Sequence, residues 1–362
     1  MEPGGTPQWH RFAHWPRGAA RAALAAIVVL LLWAFLSAPL PLPQTPVNGA
    51  NRTASAVTAK RDTDLALYDR VSERVVAGDP YYKAAVEEQR ARNFPVRPAV
   101  AVRLPTLAFL TGLMGGEAEG VILLLAVIAA ATWYVRLAAE PGGDPRKVIG
   151  VACLIIGMAS GLNPKYLVLH EVWAGLLVAL AIGVHRPGKW GWALLAAGGA
   201  LAIREHVLPF VLLLGAMAAW RRDWREAGAW GALVLAFLGY MAWHFSKVDP
   251  LLLPGDRPSD GWLALRGMRG LTGNVVETSP LQFLPALIAA PLALLPLVGW
   301  TGWKSPLGTF CTLLCAGYGL FFMIAGRDNN FYWALVVTPV WFAGLAFLPL
   351  TLGSLWRRAF AR

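Results

Sequence analysis

Ala23–Leu40, ALAAIVVLLLWAFLSAPL, carries no charge, and Val121–Ala138, VILLLAVIAAATWYVRLA, carries only Arg136 near its end. Each approaches the roughly 20 apolar residues that a helix needs to cross a hydrocarbon core. Comparable runs recur along a chain that is 57% hydrophobic. A helix satisfies its own backbone polar groups in such a medium, whereas an open strand does not. The chain therefore reads as an all-α polytopic membrane protein.

Ten spans are expected, near 22–40, 118–138, 148–162, 168–185, 189–204, 206–220, 227–246, 281–300, 308–325 and 331–350. Short loops that face the cytoplasm collect Lys and Arg. With both termini inside, that side holds Arg11, Arg17, Arg21, Arg136, Arg146, Lys147, Arg186, Lys189, Arg221, Arg222, Arg225, Lys304, Arg357, Arg358 and Arg362. Only Lys165, Arg204 and Arg327 fall in short outer loops. The expected division is a cytoplasmic N-terminus (1–21), a first span (22–40), an outer loop (41–117), a bundle (118–246), a second outer loop (247–280), a further bundle (281–350) and a cytoplasmic tail (351–362). Arg11, Arg17 and Arg21 before a long apolar run, with Pro39 after it, read as an uncleaved signal anchor.

The net charge of +11 is accounted for by this anchoring and by outer residues that can meet lipid phosphates. Nothing in it suggests nucleic acid. Cys153, Cys311 and Cys315 fall in apolar helices and read as packed thiols, with no zinc or disulfide spacing.

Leu104–Gly115 is short for a crossing helix and would invert every later span if it were one. It is read as lying along the outer surface. Earlier in the same loop, Asp64, Tyr68, Val71 and Val75 share one helical stripe, flanked by Leu65 and Val76. Asp69, Arg70, Glu73 and Arg74 form the opposite, solvated face. Gly78-Asp79-Pro80 ends that helix, and Pro80 starts another through Tyr81–Arg92. Amphipathic helices of this kind rest on a leaflet surface.

The ionisable residues at the outer helix ends are the chemical candidates. They are Lys165, His170, Glu171, Arg204, Glu205, His206, Arg327 and Asp328, with Asp64 and Asp62 in the long loop. Asp64 points along an apolar stripe and could take a proton from a hydroxyl; Asp62, Thr63 or Asp64 could equally cap the helix. Glu171 suits a helix N-terminus. Arg204 and Glu205 could simply pair, although Arg is also the natural ligand of a phosphate oxygen pair. Together Lys165, Arg204 and Arg327 could neutralise a phosphodiester. Phe331-Tyr332-Trp333 could be an interfacial belt or a platform for a sugar face. No metal site is assigned, although Asp62-Thr63-Asp64 leaves room for a divalent cation.

Three stretches carry a resemblance: Asp64–Pro105 (DLALYDRVSERVVAGDPYYKAAVEEQRARNFPVRPAVAVRLP), His170–Glu205 (beginning HEVWAG, ending IRE) and Gly326–Trp333 (GRDNNFYW). With the order of first span, long outer loop, surface helices and bundle, they resemble a bacterial group within the GT-C superfamily of membrane glycosyltransferases. The resemblance implies a periplasm-facing site in the bacterial inner membrane that uses a polyprenyl-phosphate-linked sugar donor. It implies an inverting transfer to a periplasmic glycan or lipid acceptor. Asp64 would be the general base, with Asp62 its competitor. Lys165, His170, Arg204 and Arg327 would contact the phosphate, and Glu171, Glu205 and Asp328 would orient them or bind hydroxyls. Many relatives carry further helices or a soluble domain beyond the point where this sequence stops, which leaves room for a partner subunit.

Two other readings stay open. A transporter or flippase of a lipid-linked sugar or an anion would place ionisable groups near mid-membrane on broken helices. Here the span centres are nearly free of charge, while Pro285, Pro291 and Pro296 interrupt the eighth. The third reading is a non-catalytic assembly partner on the same scaffold.

Overall fold

The computed structural model describes residues 9–39 and 65–360, together with their side chains except that of Asp328. Among the described residues all regular structure is helical: α1 (Arg17–Ser37), α2 (65–76), α3 (Tyr81–Ala91), α4 (Thr106–Met114), α5 (Ala118–Ala139), α6 (Lys147–Ala159), α7 (His170–Val184) and α8 (Gly191–Ile203). There follow α9 (Leu208–Trp220), α10 (Trp224–Val248), α11 (Gly267–Glu277), α12 (Ala286–Thr301), α13 (Pro306–Ile324), α14 (Thr338–Ala343) and α15 (Leu348–Phe360).

Among the described residues five helical stretches are long and apolar enough to cross a membrane: Arg17–Ser37, Ala99–Ala139, Trp224–Leu251, Pro306–Ile324 and Thr338–Phe360. Large apolar side chains cover their outer faces, among them Val29 and Leu36 on α1, Leu124 and Val127 on α5, and Leu235 on α10. That much exposed hydrocarbon suits lipid rather than water. Other expected spans are shorter. Helices α6, α8 and α9 have 13 residues each, about 20 Å at 1.5 Å per residue.

Within the Ala99–Ala139 stretch, the 3-10 turn Gly115–Glu117 divides α4 from α5. Helix α4 ends at Gly115, whose φ of +54° is a left-handed turn that glycine adopts without a Cβ clash. The Thr106 hydroxyl at its start donates to Ala202 O at 2.6 Å and meets the Tyr240 hydroxyl at 3.0 Å, which pins α4 to α8 and α10.

The expected single span 331–350 is replaced by four pieces. A 3-10 segment, Asp328–Val336, leads into α14; a 3-10 turn, Gly344–Phe347, then leads into α15. Pro339 and Pro349 lack the N–H that a continuous helix would use, so each sits at a helix start. Residues 351–360, read as a tail from sequence, continue α15 and pack on α1. There Arg21 Nε donates to Ala359 O at 3.1 Å and Arg358 Nε to Trp15 O at 2.9 Å.

Tryptophans stitch the core. Trp133, Trp300, Trp303 and Trp341 are fully buried, and their indole N–H groups donate to carbonyls of Ala179, Val340, Pro141 and Ala293. Each thus buries a large apolar area and leaves no orphan donor. The three cysteines are buried and free.

Polar contacts gather at two ends of the bundle. At one end Lys304 N donates to Trp9 O, Arg11 reaches Thr309 Oγ1 and His185 Nε2 lies 2.7 Å from Glu226. At the other, Arg327 meets Asp260, Leu263 bridges Ala325, and Tyr318 donates to His206 O.

At the second end α2 and α3 form a small apolar layer with Val96, Val102 and Val248. The buried stripe of α2 includes Leu67 and Val71, while Val76 is exposed rather than flanking it. Arg74 is not simply solvated. It binds Asp79 at 2.6 Å, Glu87 at 2.7 Å and Glu88 at 3.3 Å, clamping α2 to α3. Arg90 of α3 holds Asp256 through bonds of 2.6 and 2.9 Å, and Asp256 also accepts from Leu253 N at 2.7 Å.

The Arg90 hydrogen bond holds the Asp256 carboxyl below its usual range. A carboxyl with a lowered folded pKa contributes stability above its unfolded value of about 4, and loses it as pH falls through the folded value. Hydrogen-exchange protection of 252–258 is therefore expected to drop on acidification below about pH 4. Asp256→Asn should lower it already at neutral pH by roughly 1–2 kcal/mol, allowing for solvent at Arg90. Protection that is equal in both proteins at both pH values would refute the clamp.

Candidate functional site

Five chain segments meet at the second end. Helix α7 begins after Leu169, whose extended backbone turns the chain inward and leaves His170 and Glu171 in the first turn. Helix α8 stops at Ile203, and Arg204 adopts φ −144°, ψ 117°, an extended residue that sends its side chain into the protein before the Glu205–Val207 turn. Helix α2 supplies Tyr68, the strand-like approach to α4 supplies Arg103, and the Asp328–Val336 segment supplies Asn330, Tyr332 and Trp333.

Arg204 is the centre. Its exposure is 0% and that of Glu171 is 2%. Arg204 Nε lies 2.7 Å from Glu171 Oε1 without hydrogen-bond alignment, and Nη1 bonds Glu205 Oε1. The remaining nitrogen, Nη2, is buried with no aligned partner. Arg103 Nε donates to the Tyr68 hydroxyl at 2.9 Å and Nη2 to the Tyr332 hydroxyl at 3.5 Å. Its charge is coupled to both Glu171 and Glu205. Two guanidinium groups therefore face two carboxylates, with two phenols around them.

Aromatic rings line this cluster. His170 meets Tyr68 edge-on with centroids 5.4 Å apart. His206 lies 4.2 Å from Trp333, which stacks on Phe321 at 5.6 Å. Both ring nitrogens of His170, Nδ1 of His206 and Nε1 of Trp333 are buried without an aligned partner. Buried polar groups are normally satisfied. Several unsatisfied ones in the cluster that holds Arg204 make a place where a ligand with acceptor oxygens, such as a phosphate, gains charge-assisted hydrogen bonds.

The expected residues divide as follows. His170, Glu171, Arg204, Glu205 and His206 come together. Lys165 sits on the exposed turn Pro164–Tyr166, outside the buried cluster. Arg327 directs Nη1 to Asp260 at 3.2 Å and receives Asn330 Oδ1 on its backbone N–H at 3.0 Å. The second cation beside Arg204 is thus Arg103, just before the Leu104–Gly115 stretch and not among the expected site residues. Asp62 and Asp64 lie outside the described residues, as does the side chain of Asp328. Phe331, Tyr332 and Trp333 are only 5–7% exposed, because their segment is packed under α7 and α11. They therefore form neither an open belt nor an open platform. Among the described residues no group of three His, Cys, Asp or Glu side chains is placed to hold a metal ion.

Two hollows adjoin the cluster. A narrow crevice lined by Tyr68, Ser72, Tyr81, Thr111 and His170 leads to it. An open groove walled by Phe109, Leu110, Leu113, Tyr240 and Trp243 runs between α4 and α10 and reaches Pro105 and Thr106, next to Arg103 in the chain. A third crevice, lined by Arg136, His185 and Arg221, lies at the opposite end of the bundle and takes no part in this site.

No family model, no curated protein and no solved structure matches this chain.

Proposed function

We propose that the chain is an inverting glycosyltransferase. It moves a sugar from a polyprenyl-phosphate-linked donor to a periplasmic glycan or lipid acceptor, with Asp64 as general base and Asp62 as the alternative base. The observation that carries this reading is the buried Arg204 guanidinium. It has one nitrogen without a partner, its charge acts on His170 and His206, Arg103 stands in the same cluster, and an apolar groove reaches Pro105 and Thr106, which follow Arg103 in the chain. A lipid phosphate needs that combination: fixed donors for its oxygens and a hydrocarbon surface for its tail.

In this reading Arg204 and Arg103 neutralise the phosphate as it leaves the anomeric carbon, and Glu171 and Glu205 hold the guanidinium planes in place. Asp64 takes the proton of the attacking hydroxyl. The ten-helix arrangement, the cytoplasmic termini and the inner-membrane location belong to the same proposal, and a partner subunit is compatible with it.

The test is mass spectrometry of envelope glycans and glycolipids from a deletion strain complemented with wild type, Asp64→Ala or Asp62→Ala at equal membrane expression. Wild type should restore a missing sugar. Asp64→Ala should lower its transfer by about 10²–10⁴-fold, the usual worth of a general base. Full restoration by Asp64→Ala with loss in Asp62→Ala moves the base to Asp62. Full restoration by both, or a wild-type profile with no missing sugar, overturns the enzyme.

A further inference from the structure

The opposite end of the bundle holds a second charged crevice that the proposed transferase does not use. It is narrow and open at its mouth, where it meets solvent or lipid. Its charged wall is Arg136 in the last turn of α5, His185 after α7 and Arg221 after α9. Its apolar wall is Leu214, Met217, Leu307 and Phe310.

The neighbouring carboxylates are already committed. Glu226, fully buried, is approached by His185 Nε2 at 2.7 Å, Arg221 Nη2 at 2.8 Å and Trp230 Nε1 at 3.2 Å. Glu140 pairs with Arg136 Nη2 at 2.8 Å. Arg186, which caps carbonyls of Gly183 and His185, adds a further guanidinium near Glu140. Arg136 is 4% exposed, and its Nε has no hydrogen-bond partner.

We propose that this crevice binds an anionic membrane phospholipid. The phosphate sits against Arg136 and Arg221, and the start of one acyl chain lies along Met217, Leu307 and Phe310. Two features select a lipid over a soluble anion. The wall facing the guanidiniums is hydrocarbon, which offers nothing to a free phosphate. The crevice also lies at helix ends, where headgroups meet the bundle, and basic pockets between membrane helices hold anionic headgroups there.

The test is native mass spectrometry of the full chain released from nanodiscs of phosphatidylglycerol mixed with phosphatidylcholine. The wild type should retain phosphatidylglycerol in preference. Arg136→Gln should weaken that retention roughly tenfold, the loss expected for one charge-assisted hydrogen bond. Because Arg136 also holds Glu140 and His185, the second variant is Met217→Trp, which fills the crevice and removes no charge. It should lose the preference while unfolding at the wild-type temperature in lipid-free detergent. Equal retention of the two lipids by wild type, or an unchanged preference in Met217→Trp, overturns the site. Displacement of phosphatidylglycerol by millimolar glycerol phosphate makes the occupant a soluble phosphate and overturns the lipid assignment.

Discussion

Replacing Arg204 by Gln is expected to destabilise the protein by about 3–5 kcal/mol, the cost of removing one partner from a buried ion pair. Glu171 is 2% exposed and would be left facing a neutral amide, with Arg103 as its remaining nearby cation. Glu205, one fifth exposed, can turn to water and contributes less to the loss. The double variant Arg204→Gln, Glu171→Gln should therefore recover part of the stability, because neither charge is then stranded. Arg204→Lys keeps the charge but not the planar fork that reaches Glu171 and Glu205 together, so it should fall between the two. Thermal and denaturant unfolding in detergent measure all three. A loss below about 1 kcal/mol for Arg204→Gln, the range of solvent-exposed pairs, would show that the cluster is open to water. The same substitution should abolish retention of a polyprenyl phosphate.

Gly175→Ala should cost about 1–3 kcal/mol, and Gly175→Leu more, through overpacking against backbone. A Cβ at Gly175 would stand 2.1 Å from Leu335 O and 3.0 Å from its carbonyl carbon. Neither atom belongs to a flexible side chain, so α7 or the Asp328–Val336 segment must move bodily. That segment carries Asn330, Tyr332 and Trp333 into the site, and α7 carries His170 and Glu171. A shift of either element separates Arg103 from Tyr332 and Trp333 from His206. The comparison is Gly231→Ala in α10, where an added Cβ meets nothing within 4 Å. It should be neutral or stabilising by up to about 1 kcal/mol, the ordinary gain of Ala over Gly in a helix. Equal effects of the two substitutions on unfolding temperature would mean that α7 and the 3-10 segment are not in backbone contact.

The proposal that His170, Glu171, Arg204, Glu205 and His206 form one group came from topology alone: all occupy helix ends that alternate connections bring to one side. The pairing of the neighbours Arg204 and Glu205 is legible in the sequence, and that of Arg204 with Glu171 is not. His170-Glu171 and Arg204-Glu205 are more than thirty positions apart, and only the packing of α7 against α8 brings Glu171 to Arg204. Arg103 was less legible still. In sequence it is a lone cation before Leu104-Pro105, and nothing local links it to Tyr68 or Tyr332. Gly175 in the HEVWAG stretch illustrates the same limit, since its small size answers a carbonyl 160 positions later.

The sequence by itself determined the all-helical character and the apolar helices long enough to cross a membrane. It also placed the helix breaks at Gly78-Asp79-Pro80 and after Met114. These depend on local composition, on hydropathy over a turn or two, and on the backbone limits of Gly and Pro. Tertiary structure alone decided that Arg204 is buried against Glu171 and that Arg103, rather than Lys165 or Arg327, is its companion cation. It alone decided that Trp333 faces inward, and that residues 328–360 break into 3-10 and α pieces. The physical reason is that burial and ion pairing are properties of contacts between distant segments. A side chain's own neighbours in the chain specify where it can point, and the elements packed against it specify what it meets there.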